Sequence, residues 1–129
     1  MAILQVDLNA PTPVYRQIVD AIRLRLVDGD LRPGDPLPPV RRLALDLGVH
    51  FNTVAEAYRT LAEEGWLEIG RRSGARVVAR NAGKRRDPEA AEAFARRLRE
   101  MVAQAQSSGL SRERIARELR GLAGALEGS

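Results

Sequence analysis

Cysteine is absent from the 129-residue sequence, which excludes disulfides, thiolate metal sites and a cysteine nucleophile. Lysine is almost absent: of 21 basic residues all but Lys84 are arginine. Only five aromatic residues occur, Tyr15, Phe51, Tyr58, Trp66 and Phe94, too few for a platform that stacks the bases of a single strand. No apolar run is long enough to span a bilayer, so no membrane partner is expected. The opening Met1–Asp7 has no basic stretch and carries an early acid, so no signal peptide is read there and the cytoplasm is the expected location. With a single histidine and no clustered carboxylates, hydrolase chemistry has no foothold; the expectation is no enzyme, no metal and no cofactor.

What is present is a globular composition, 44% hydrophobic, with a net charge of +4. The charge is unevenly shared. Residues 1–80 hold eleven basic and ten acidic side chains, and residues 81–129 hold ten and seven. A case for nucleic acid must therefore rest on where cations sit, not on bulk charge.

Residues 1–10 read as an irregular or short extended lead-in. Thr12-Pro13 reads as a cap and first helical residue. Val14, Ile18, Ile22 and Leu26 then recur every four residues, widened by Tyr15 and Val19, which predicts a helix over 13–28 stopped by Gly29. Pro33, Pro36, Pro38 and Pro39 forbid helix in the next stretch and leave a stiff connector with room for one short edge strand. A second helix begins at Pro39 or Val40, buries Val40, Leu43, Ala44 and Leu47, and stops at Gly48. A third carries Val54, Ala57, Tyr58 and Leu61 and ends at Gly65. Two short helices joined by a glycine turn make a helix-turn-helix pattern. Residues 66–69 and 75–79 alternate as strands around the turn-rich 70–74, so a hairpin, or wing, follows directly.

Residues 81–87 are polar and basic and read as a linker between a winged helix-turn-helix domain, 1–80, and a helical tail, 88–129. Asp87-Pro88 is a second cap-and-proline pair. Phe94, Leu98, Met101, Val102 and Ala105 line one face of a fourth helix, Ser107-Ser108-Gly109 breaks it, and Ser111 caps a fifth carrying Ile115, Leu119, Leu122 and Leu126. The fold class is mainly α with a small β-hairpin. Its tail is too apolar to leave exposed, so Phe94, Leu98, Met101, Val102, Ile115, Leu119, Leu122 and Leu126 are assigned to dimerisation.

A major groove admits one α-helix, and its base edges carry the full hydrogen-bonding code. The third helix opens with His50-Phe51-Asn52-Thr53. Asn52 can pair with adenine, and Thr53 can meet a phosphate or a thymine methyl. The alternative is that His50 merely caps, Asn52 is solvated and Thr53 packs; the neighbouring wing and basic helix start favour DNA contact for Asn52 and Thr53. Arg41 and Arg42 stand in the first turn of the second helix, where a cation opposes the helix dipole and a phosphate would offset the cost. For Arg42 a salt bridge is an equal reading. Arg71, Arg72, Ser73 and Gly74 form a narrow basic tip suited to a minor groove, or simply a soluble one. Phe51 either touches a thymine methyl or a sugar or folds back onto the core, with the core favoured, and Trp66 is read as core.

The runs Leu37-Pro38-Pro39-Val40-Arg41-Arg42-Leu43-Ala44 and Leu47-Gly48-Val49-His50-Phe51-Asn52-Thr53-Val54, with Ala57-Tyr58 and Glu64-Gly65-Trp66, resemble the GntR family of bacterial regulators. Pro13–Ile18 and Gly29–Gly34 agree as well, so the resemblance covers about residues 11–78. The short two-helix tail is similar to the YtrA-like branch, whose tails dimerise. The resemblance implies DNA contacts for Arg41, Thr53 and the wing glycine Gly74. It also carries departures: Pro39 replaces a small residue, Phe51 replaces a base-reading arginine common in the family, and Arg72 replaces a glycine.

The expected function is a sequence-specific transcription regulator, a repressor, that binds a pseudo-palindromic operator as a homodimer. One rival is a winged-helix adaptor for proteins. The other is the N-terminal part of a MocR-like regulator with a pyridoxal-phosphate domain, against which stands the lack of any lysine after Lys84. An effector, if one exists, is expected at the dimer interface or near the linker, where Lys84, Arg85 and Arg86 could favour an anion, and not in a deep pocket within one tail.

Overall fold

The structure, a computed structural model, describes residues 4–70, 74–79 and 87–128. They fall into two compact units, divided between residues 80 and 81. The wing-tip residues Arg71, Arg72 and Ser73 lie outside the described residues, as do Lys84, Arg85 and Arg86 and all but the last residue of the expected linker.

In the first unit, α1 (Val14–Asp28) buries Ile18, Val19, Ile22 and Leu26. Its end is set by Gly29, whose φ of 83° is open to glycine at little cost. Its start differs from the expected threonine cap. Pro13 is itself the cap residue, with ψ of 145°, and no side chain among the described residues is seen to cap the helix start from that position. Gln17 does the tying instead. Its Nε2 donates to the carbonyls of Asp7 and Thr12, and the Asp7 amide donates to its Oε1. The lead-in is thereby held, and Leu4 is buried in the core at 2% exposure.

The connector turns at Pro33-Gly34, where the Asp35 amide donates to the Arg32 carbonyl and Gly34 has a φ of 96°. Short α2 (Val40–Leu47) and longer α3 (Phe51–Glu63) follow, separated by Gly48 at φ 71°. Val54, Ala57, Tyr58 and Leu61 point from α3 into the core, packing against α1 and α2. Burial of each of the larger of these side chains contributes about 1.5–3 kcal/mol relative to exposure.

Strands β1 (Leu67–Gly70) and β2 (Gly74–Val77) pair antiparallel, with Leu67 opposite Val77 and Gly70 opposite Gly74. Both bounds shift slightly from the expected 66–69 and 75–79. Trp66 is spent on the turn out of α3, its amide donating to the Leu61 carbonyl, and it packs half-buried against the core. Leu67, Ala75 and Val77 face inward, while Glu68 and Arg76 stand opposite one another in solvent. The connector lies along the other side of β2. Amides of Gly34 and Leu37 donate to the carbonyls of Val77 and Ala75, the Val77 amide donates to Asp35, and Pro36 bridges Arg76. Proline suits this outer edge because it need donate nothing.

In the second unit, α4 (Ala90–Ser107) and α5 (Arg112–Glu127) form a helical hairpin. Asp87-Pro88 opens a turn before the helix, not the helix itself: Asp87 Oδ1 accepts from the Glu89 amide, and Glu89 is the cap residue. Ser111 caps α5 as expected, its hydroxyl accepting from the Arg114 amide. Of the eight residues assigned to dimerisation, Ile115 is already buried within the single chain. Phe94 and Met101, each 65% exposed, stay uncovered with Leu119, Leu122 and Leu126, and Leu98 and Val102 are half-buried. No helix among the described residues is long and apolar enough to cross a membrane.

Candidate nucleic-acid interface

Gly48 turns the chain so that the start of α3 comes beside α2. The first amides of a helix lack partners within it. Here His50 supplies one, its Nδ1 accepting from the Asn52 amide at 3.1 Å. Thr53 donates its amide to the His50 carbonyl. His50 therefore does cap the helix, and Asn52 stays exposed with its side chain free of any bond among the described residues, while Thr53 is half-buried.

Phe51 is not folded into the core. It is 38% exposed and stacked on His50, with ring centroids 4.6 Å apart. The Arg41 guanidinium lies over the same ring, 4.5 Å from its centroid. The core expectation fails because Phe51 is the first residue of α3: it shares the stripe of Val54, Tyr58 and Leu61 but stands at the helix end, against His50 and Arg41 at the surface. Arg41 has no ion pair among the described residues. Arg42 does: Nε sits 3.4 Å from Asp46 Oδ1, one helical turn on. That pair is open to solvent and weak, so it leaves Arg42 available to an anion.

Tyr58 holds this corner from beneath. Its hydroxyl donates to the Pro38 carbonyl at 2.7 Å, which ties α3 to the residues that launch α2. Burial pushes the phenol well above its ordinary value, so it stays a neutral donor. The exposed face of α3 runs through Asn52, Glu56, Arg59 and Glu63. Arg59 was not singled out from sequence, although its spacing from Asn52 and Glu56 marks that outward stripe. The two acids limit the cationic character to the start of α3 and to Arg59. Gly74, φ 73°, opens β2 next to the wing tip. Sequence reasoning also missed the joining of Arg41 to Phe51, because ten residues and a glycine turn separate them.

The family model for bacterial regulatory proteins of the gntR family matches residues 14–77. The chain is 30% identical over 112 residues to the HTH-type transcriptional repressor YtrA of Bacillus subtilis, covering 87% of this chain and 85% of that one. It is 38% identical over 120 residues to the HTH-type transcriptional regulator Rv1152 of Mycobacterium tuberculosis, covering 90% of each. Among solved structures, YtrA of Sulfolobus acidocaldarius, a GntR-family transcription factor, aligns with a TM-score of 0.58 at 32% identity, over 82% of this chain and 99% of that one.

Proposed function

The chain belongs to the GntR family of bacterial regulators, and from that membership we propose that it is a homodimeric repressor that reads a pseudo-palindromic operator. The family is one of bacterial regulatory proteins, and its members are transcription regulators that bind DNA. The observation that carries the finer reading is the corner where Arg41, Phe51 and the exposed Asn52 meet at the start of α3. A helix presenting polar groups at its first turn, with a cation from α2 against it and a hairpin following on the same scaffold, is shaped for the major groove. Arg41, Arg42, His50, Phe51, Asn52 and Thr53 are assigned to that groove and its phosphates. Arg71, Arg72, Ser73 and Gly74 are assigned to the wing contact.

The two-helix tail supplies the dimer. Phe94, Met101, Leu122 and Leu126 are exposed on a small hairpin that has few other apolar contacts to offer them. A second copy covering them would set two reading helices about one DNA turn apart. Repression is supported by the named role of the Bacillus relative. Domains 1–80 and 88–129 with a linker at 81–87 fit this division of labour. An effector, if the protein answers to one, acts at the dimer interface or near the linker, where it can alter helix spacing. The direct test is a gel shift of the full chain on random and on genome-selected duplex across a salt series. Tighter binding to the selected duplex, with affinity falling steeply as salt rises, is expected. Equal and feeble binding to both would favour the protein-adaptor reading.

A further inference from the structure

A groove of about 470 Å³ runs along the corner between α2 and α3, walled by Arg41, Ala44, Leu45, Val49, His50 and Phe51. Its walls are mostly apolar, and Leu45 is 79% exposed. The groove thus opens beside the first turn of the reading helix. Resting on the DNA-reading role proposed above, we infer that Phe51 and Arg41 form one reading unit, specific for a thymine within one base step of a guanine.

A phenyl ring has no hydrogen-bonding atom. The one apolar feature on the major-groove edge of the bases is the thymine methyl. Phe51 is held for that contact: the His50 ring stacks on it at an interplanar angle of 26°, and His50 is itself fixed by the Asn52 amide. Arg41 is a long side chain that would otherwise sample many rotamers in water. Contact with the Phe51 ring biases its guanidinium toward one place. A guanidinium can donate two parallel hydrogen bonds, and its match on the major-groove edge is guanine O6 and N7. The separation of the two groups sets the motif. The guanidinium carbon is 4.5 Å from the ring centroid, close to the roughly 3.4 Å rise between stacked bases. The two bases read are therefore neighbours in the stack. Phe51 contacts the thymine directly, and for the guanine it acts as a positioning residue.

The test starts from the duplex that the full-length chain selects from a randomised pool. Each thymine is replaced in turn by deoxyuridine, which removes only the methyl, and each guanine by 7-deazaguanine, which removes only N7. One thymine should cost about fourfold in affinity on losing its methyl. A guanine beside it should cost about tenfold. Phe51→Ala should abolish the thymine effect and shrink the guanine effect. Phe51→Leu should keep the first and shrink the second, since leucine offers apolar contact but no ring for the guanidinium. Arg41→Ala should abolish the guanine effect alone. Circular dichroism should show all three variants folded, because neither side chain belongs to the buried core. A selected site indifferent to deoxyuridine at every position would overturn the inference while leaving DNA binding standing. So would a thymine effect that survives in Phe51→Ala. Failure to select any duplex would sink the inference together with the reading beneath it.

Discussion

Arg23 and Glu64, forty-one residues apart in the chain, meet in a two-pronged ion pair. Arg23 Nε donates to Glu64 Oε1 at 3.0 Å, and Nη2 donates to the other carboxylate oxygen. Glu64 caps the end of α3, so the pair fastens α1 to the far end of the reading helix. Asp20 approaches the same guanidinium from one turn away. Hydrogen bonding to Glu64, more than any other cause, raises the Arg23 pKa.

Glu64→Gln should destabilise the fold by about 1 kcal/mol, a modest figure because both side chains remain partly in solvent. Thermal unfolding of the full chain checks this. For a unit of this size the midpoint should fall by roughly 4–8 °C. An unchanged midpoint would mean that water serves both groups equally well.

The Tyr58 hydroxyl should make stability sensitive to alkali. Its folded pKa is raised by burial above the ordinary value of about 10. The folded state holds the proton that the unfolded chain releases. Its contribution is therefore fully present below about pH 10 and is lost progressively as pH climbs from there. Tyr58→Phe should cost about 1 kcal/mol at neutral pH, through the lost bond to Pro38, and should flatten that alkaline slope. Denaturant midpoints of both proteins between pH 8 and 11 decide it; parallel curves would refute the assignment.

Arg41 and Arg42 are adjacent but should fail differently. Arg41→Ala should weaken the selected site more than random duplex, because its guanidinium lies against Phe51 and is proposed to read a base with it. Arg42→Ala should weaken both alike and lower the salt slope by about one, as loss of a phosphate contact does. Both variants should unfold like the parent, since both side chains are exposed. A pair of variants with the same salt slope and the same sequence preference would contradict this division.

Phe94→Glu combined with Met101→Glu should yield a monomer. Light scattering of the full chain at micromolar concentration reads the outcome directly. Affinity for the selected site should fall by on the order of a hundredfold, as two linked half-sites become two separate ones. A dimer that survives both substitutions would place the interface elsewhere.

The helices were legible in sequence because glycine and apolar spacing mark them from both sides. Gly29 and Gly48 end α1 and α2 where the four-residue repeat stops, and Val54, Ala57, Tyr58 and Leu61 are buried as their spacing requires. What sequence could not reveal was contact between distant residues. Nothing local says that Gln17 replaces Thr12 at the head of α1, or that Leu4 in an irregular lead-in is core. Ile115 looked like its neighbours on the α5 stripe, and only the pairing of two helices shows which member turns inward. Aromatic character and a place on the stripe of Val54 and Tyr58 both suggest burial for Phe51, but as the first residue of α3 it stands at the helix end and is 38% exposed. Asn52 and Arg41 were named as candidates from their places at two helix starts together with the neighbouring wing and the family resemblance, and both side chains are exposed.

The seam between the connector and β2 bears on the order in which the molecule is made. The amides and carbonyls of Gly34, Asp35 and Leu37 answer those of Ala75 and Val77, some forty residues later in the chain. A hairpin of two four-residue strands is at best marginal alone. The wing therefore takes form only once the helices between have closed that long loop. A chain emerging from the ribosome would assemble its reading helix first and its wing last. Any lesion that delays closure of the helical core would thus silence the wing before it touched the helices, and hydrogen exchange at Val77 would record it.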